Sequence, residues 1–159
     1  MVSPSMMTSN SGEWQTPPAL YAQLDNEFHF TVDVCASDSN KLSPLYFTKS
    51  DSCLTQPWHN ATCWMNPPYG RKIGTFLAKA KHEALVNNAL VCCLVPARTD
   101  TRWWWDNVWS GEVRFIKGRL KFHLFGEIMT SAPFPSAIVI FHRGLSKRGV
   151  FGINGEALA

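Results

Sequence analysis

The segment of this chain best equipped for chemistry is Asn66-Pro67-Pro68-Tyr69. Two successive prolines stiffen the backbone and remove two N–H donors, which leaves local carbonyls available as acceptors. Asn66 adds a side-chain oxygen beside them, and Tyr69 adds a flat ring. The set suits a planar amine that offers two N–H donors, such as the exocyclic amino group of an aromatic base. The lone pair of that nitrogen is drawn into the ring. Acceptors placed on its hydrogens favour a pyramidal, nucleophilic nitrogen, a stabilisation by fixed dipoles. A rigid turn with a packed tyrosine is the plainer use of the same four residues.

The elements that must position this segment can be read on either side of it. Ala61 to Met65 reads as a strand, stopped where Pro67 restricts its predecessor to extended geometry. Residues 73–86 follow as a helix, with Phe76, Leu77, Ala80, Ala84 and Leu85 close to one stripe. Ala89 to Val95 is apolar without alternation, as a central parallel strand buried on both faces requires. Upstream, Thr16-Pro17-Pro18 opens a helix over 19–27, with Thr16 as its cap and Leu20, Leu24 and Phe28 at helical spacing. Phe28 to Ala36 reads as a strand, and Ser43 to Asn60 as mostly loop around Leu45-Tyr46-Phe47. Downstream, a helix from Asp100 carries Trp103-Trp104-Trp105 and ends near Gly111. Strands are predicted over 112–116, 119–122 and 136–141. This alternation predicts an α/β sandwich with a mainly parallel sheet and an antiparallel C-terminal edge. Ligands of such sheets gather at the carboxyl ends of strands, which singles out Asp33 to Ala36 together with Asn66 to Tyr69.

A chain of 159 residues has room for one well-buried domain. Its net charge of +3 hides an asymmetry. Residues 1–60 hold two basic and six acidic side chains, net −4, whereas residues 61–159 hold thirteen basic and six acidic, net +7. A polyanion would therefore meet the second half. Arg71 and Lys72 directly follow the motif, and Arg98 and Arg102 flank the junction after Pro96. Lys117, Arg119 and Lys121 belong to a basic surface with Arg114 and His123, where Leu120 and Phe122 alternate inward. Successive tryptophans on a helix point about 100° apart, so one of the three is expected at the surface, and Trp104 is the candidate for stacking on nucleic acid. Five cysteines without CxxC spacing argue against a disulfide framework or a zinc site, and five scattered histidines make no metal set. No apolar run approaches the ~18 residues of a membrane-spanning helix, and a cytoplasmic protein is expected.

Several ordered stretches together resemble the small phage and prophage DNA N6-adenine methyltransferases, which use S-adenosylmethionine. They are Trp14-Gln15-Thr16-Pro17, Phe30 to Ala36, Tyr46-Phe47-Thr48, Trp64 to Gly70, Val95 to Trp104, Arg114-Phe115 with Lys117 to Phe122, and Ala132 to Ala137. The resemblance covers about residues 12–143. It implies a Rossmann-like methyltransferase sandwich, and a site-specific transfer of methyl to adenine N6 in DNA. Asn66, Pro67, Pro68 and Tyr69 would be catalytic, with Asn66 and the Pro67 carbonyl on the amine and Tyr69 stacked on a base flipped out of the duplex. Thr16, Pro17, Asp33, Cys35, Ala36, Asp51 and Asn66 would line the cofactor site, with Asp33 toward the methionine part and Asp51 toward the adenine.

The implied organisation is a flexible leader over 1–11, a single methyltransferase domain over 12–145 and a basic, glycine-containing tail over 146–159. The partner is DNA, with no metal and no membrane, in the cytoplasm of a bacterial host, as a monomer or weak homodimer. Two departures stand out. The turn after the first strand, Cys35-Ala36-Ser37-Asp38, lacks the glycine common in methyltransferases. There is also no long insert to act as a separate target-recognition domain, so the DNA sequence must be read by loops, or read loosely. Asn-Pro-Pro-Tyr fits any planar amine, and cytosine N4, RNA or a glutamine amide remain alternative acceptors. A non-catalytic DNA-binding module is the second alternative.

Overall fold

The structure, a computed structural model, describes residues 14–144 and the backbone of residues 150–154. The expected leader lies outside the described residues, as does most of the expected tail. Strands β1 (Val32–Asp33), β2 (Leu45–Tyr46), β3 (Thr62–Met65), β4 (Leu90–Pro96) and β5 (Glu112–Lys117) are followed by a two-stranded hairpin, β6 (His123–Leu124) with β7 (Glu127–Ile128). Two further strands, β8 (Ser136–Phe141) and β9 (Val150–Asn154), complete a seven-stranded sheet in the order β2-β1-β3-β4-β8-β5-β9. Six strands run one way. Only β8 is reversed, pairing antiparallel with both β4 and β5. The antiparallel pairing thus sits on the C-terminal side of the sheet, and β9, from the stretch read as tail, closes that side in parallel with β5.

β4 is the centre of the core. Val91 through Val95 are fully buried, as their unbroken apolar run requires. Helix α1 (Pro18–Phe28) buries Leu20 and Leu24, and helix α2 (Ile73–Val86) buries Ile73, Leu77, Ala80 and Ala84. Leu85, expected on the apolar stripe, is instead 56% exposed. Helix α3 (Arg102–Asn107) runs into a 3-10 turn over Val108–Ser110. It packs closely on α2 at Gly74, where an added Cβ would stand a tight 3.1 Å from the Cβ of Trp103.

The strand expected over Phe28 to Ala36 contracts to two residues. Phe28 closes α1, His29 adopts a left-handed φ of 56°, and the Asp25 carboxylate accepts the Phe30 N–H at 2.8 Å. Those residues turn the chain and cannot join the ladder. Residues 119–122 keep the expected alternation, with Leu120 and Phe122 buried and Arg119 and Lys121 exposed, but form no regular strand. Their return partners donate to them irregularly, Met129 to Phe122 and Ala132 to Leu120, each at 2.8 Å. One strand advances two residues while the other advances three, the signature of a bulge.

From β1 the chain steps out to β2, then returns past β1 to form β3 on its other side. That reversal leaves a crevice beyond the carboxyl ends of β1 and β3.

Candidate active site

β1 ends on Asp33 and β3 ends one residue before Asn66, so the reversal of strand order brings the two side chains to one cleft. The cleft, shallow and open to solvent, is walled by Asp33, Cys35, Asn40 and Leu42 from β1 and its loop. Trp64 and Asn66 from β3, and Trp14, Gln15 and Thr16 before α1, complete it.

Asn66 is held by its nitrogen. Its Nδ2 donates to the Trp14 carbonyl at 2.8 Å and to Thr16 Oγ1 at 3.3 Å, which fixes the orientation of the amide. Its Oδ1 is buried and has no hydrogen-bond partner among the described residues. An acceptor left in that state costs about 1–3 kcal/mol, which an N–H donor brought to it would recover. Thr16, predicted to cap α1, is thereby turned to the motif; the N-cap position falls to Pro17, without a side-chain cap.

Asp33 is 3% exposed. Its Oδ1 accepts the Cys35 N–H at 3.3 Å and its Oδ2 the Leu42 N–H at 3.1 Å, so the carboxylate clasps both ends of the loop that walls the cleft. Burial pushes its pKa up to about 6, against the two amides, which favour the ionised form. At neutral pH it is mainly a carboxylate, and each oxygen retains a further lone pair. The loop needs no glycine because no residue from 34 to 42 has positive φ. The Asn40 side chain accepts the Ser37 N–H at 2.7 Å and tightens the turn instead.

Tyr69 is only 8% exposed, with its ring edge-on to Phe122 and Phe134 and its hydroxyl donating to the Leu94 carbonyl at 3.4 Å. Burial pushes its phenol pKa well up. Pro67 is buried and Pro68 exposed. Gly70, with φ of 137°, turns the chain from this motif toward α2.

Of the other expected cofactor residues, Cys35 lines the cleft, its Sγ 3.8 Å from that of Cys53, and both are free thiols. Pro17 stands behind Thr16, and the Ala36 N–H ties the β1 exit to the Phe47 carbonyl. Asp51 does not join the cleft. It is exposed in its own turn, accepting from the Thr48 N–H at 2.8 Å and the Thr48 hydroxyl at 2.9 Å. Trp14, Gln15, Asn40, Leu42 and Trp64 are wall residues to which the motif reading gave no role. The polar run after the first strand and the chain immediately before Asn66 were the available signals, through the strand-end rule.

Arg71, Lys72, Arg98, Lys117, Arg119 and Lys121 are exposed, and Arg102 makes a surface pair with Asp106 at 3.3 Å. Trp104 is a correction. It is fully buried, stacked on Phe115 at an interplanar angle of 6°, and presents no face to a nucleic acid. The exposed member of the run is Trp105, at 62%. Arg114 also leaves the basic surface, because it pairs bidentately with Glu27 and also with Glu112. No group of three or more His, Cys, Asp or Glu among the described residues is placed to hold a metal ion. None of the described helices is long and apolar enough to cross a membrane.

Comparison with known proteins adds two findings. The family described as DNA N-6-adenine-methyltransferase (Dam) matches residues 5–154. A protein of Haemophilus phage HP1 (strain HP1c1) named DNA N-6-adenine-methyltransferase is 29% identical over 97 residues, which span 60% of this chain and 56% of that relative.

Proposed function

The chain belongs to the DNA N-6-adenine-methyltransferase family, and we propose that it transfers a methyl group from S-adenosylmethionine to the N6 amine of adenine in DNA. One observation carries this reading: Asn66 is clamped through its nitrogen, so that its unpartnered Oδ1 is a buried acceptor at the end of β3. Such an acceptor matches an amine hydrogen and is already oriented before the base arrives.

The β1 side fits the cofactor. Asp33 offers a buried carboxylate to a cationic amino acid moiety, and Thr16, Cys35, Asn40 and Leu42 complete that wall. S-adenosylmethionine, when bound, supplies a methyl group activated by its sulfonium. The chain's own residues prepare the amine. Asn66 Oδ1 and the Pro67 carbonyl accept its two hydrogens and the lone pair localises on nitrogen; once that nitrogen carries the methyl group, one of the two hydrogens leaves as a proton to water in the open cleft. Tyr69, held edge-on by Phe122 and Phe134 and only 8% exposed beside the cleft, would present the small open part of its ring to a base drawn out of the helix. Lys117, Arg119 and Lys121, with Arg71, Lys72, Arg98 and Arg102, hold phosphates. The sheet, with its single reversed strand and its ligands at the β1–β3 switch point, is then the Rossmann-like methyltransferase sandwich, acting on DNA in the cytoplasm of a bacterial host.

The test is transfer of labelled methyl from S-adenosylmethionine to unmethylated DNA, followed by nucleoside analysis. N6-methyladenine is the expected product. N4-methylcytosine would move the acceptor to the other base, and binding of DNA with no cofactor binding would make the protein a non-catalytic module.

A further inference from the structure

Residues 119–132 form a flap whose hairpin tip no step above uses. Its root is rigid: Leu120 and Phe122 are buried, and the Phe122 ring lies 5.3 Å from Trp14 and 6.2 Å from Tyr69. Its tip is tied to the cleft wall, since Gln15 and His123 exchange both backbone hydrogen bonds, at 2.9 and 3.0 Å, and the Gly126 N–H donates to Gln15 Oε1 at 3.4 Å. Between β6 and β7 the turn is two residues, Phe125 and Gly126, with φ of 51° and 82°. Both angles are left-handed, as this tight hairpin requires, and asparagine, aspartate or glycine is the usual first residue. A phenylalanine there is disfavoured by the backbone, and at 77% exposure its ring contributes little to the core. It is the most exposed large apolar side chain of the described residues. Exposed Lys117, Arg119 and Lys121 lead into the flap, whose one carboxylate is Glu127.

We propose that Phe125 is a wedge, inserted between base pairs of duplex DNA beside the adenine that enters the cleft. The inference rests on the DNA-methyltransferase reading of that cleft. Apolar side chains that enter a base step unstack it, the flanking cations complement the phosphates, and an adenine can reach Asn66 only after leaving its stack. A ring at the tip of a hairpin anchored on Gln15 then holds the opened step while the base is out.

The experiment uses the full chain and a duplex bearing a target adenine located by mapping methylated positions. Phe125→Asn suits the turn and is expected to melt at the wild-type temperature or above it. On the paired duplex it is expected to lose about tenfold or more in kcat/KM, with Phe125→Trp staying within about threefold of wild type. With an abasic site opposite the target adenine, little opening work remains, and Phe125→Asn should recover to within about threefold of wild type. Undiminished activity of Phe125→Asn on the paired duplex, or an equal loss on both substrates, would overturn the wedge. A wild-type protein that methylates no DNA would instead overturn the active-site reading beneath it.

Discussion

Asp33→Asn separates what the buried carboxylate does to the fold from what it does in the cleft. Burial lifts the folded-state pKa to about 6 from an ordinary 3.8. Between those values the folded protein holds a proton that the unfolded chain releases. The associated stability is therefore present below pH ~4 and is lost as the pH rises through ~6. Two pKa units at about 1.4 kcal/mol each put the full loss near 3 kcal/mol at neutral pH. Asparagine has no such titration. Its oxygen still accepts from one of the Cys35 and Leu42 amides, while its NH₂ faces the other, a loss of about 1–3 kcal/mol that does not vary with pH. The difference in unfolding free energy between variant and wild type should therefore move by ~2.5 kcal/mol in the variant's favour from pH ~4 to pH ~7.5. Urea unfolding followed by tryptophan fluorescence across that window measures it. A difference that stays flat with pH would refute the burial argument. At neutral pH the same variant should bind S-adenosylmethionine at least about tenfold more weakly by calorimetry, one charge-assisted contact being worth ~1.5–3 kcal/mol.

Two other substitutions probe separate features. Glu83 is buried on α2, where it pairs with Lys79 and accepts the Trp58 N–H at 2.9 Å and the Asn87 amide at 2.6 Å. Glu83→Ala strands those donors and should destabilise the fold by about 3–5 kcal/mol in urea unfolding; a loss below ~1 kcal/mol would show that the network is not anchoring the loop before β3. Alanine at Lys117, Arg119 or Lys121 should raise the KM for DNA and lower the salt slope of binding by about one per residue. Arg114→Ala, which breaks the pairs with Glu27 and Glu112, should leave that slope unchanged. The opposite ranking would put phosphate contacts on the wrong face.

What could be read from the sequence was whatever local patterning controls. The apolar run of β4, the proline stop after β3 and the helical stripe before Val86 report burial and backbone restriction directly, and all three elements formed. The strand-end rule singled out Asp33 and Asn66, and the β1–β3 reversal brings both to one cleft. Side-chain commitments across long separations were not legible. Thr16 has a cap-forming residue type, but a partner fifty positions away claims its hydroxyl. Arg114 alternates like a surface cation, but Glu27 is 87 residues distant in the chain. Trp104 looked available because a helix must expose some of three consecutive tryptophans, and only packing against Phe115 determined which one turned inward. β9 is a short run, Val150 to Asn154, whose strand-forming Val150, Phe151 and Ile153 were obscured by the basic and glycine-containing residues around them.

The central claim is that Asn66 presents a preoriented acceptor to the reacting amine, and the split between turnover and cofactor affinity in Asn66→Ala tests it most directly. Removing one preorganised hydrogen-bonding group aimed at developing charge lowers kcat by about 10²–10³-fold. The change leaves the Asp33 carboxylate, proposed above to hold the cofactor, in place, so the S-adenosylmethionine Kd should stay within about threefold of wild type, under ~1 kcal/mol. A large fall in kcat with that near-constant Kd is the predicted result. An equal loss of turnover and cofactor affinity would contradict the assignment and make Asn66 a prop for the Trp14–Thr16 wall.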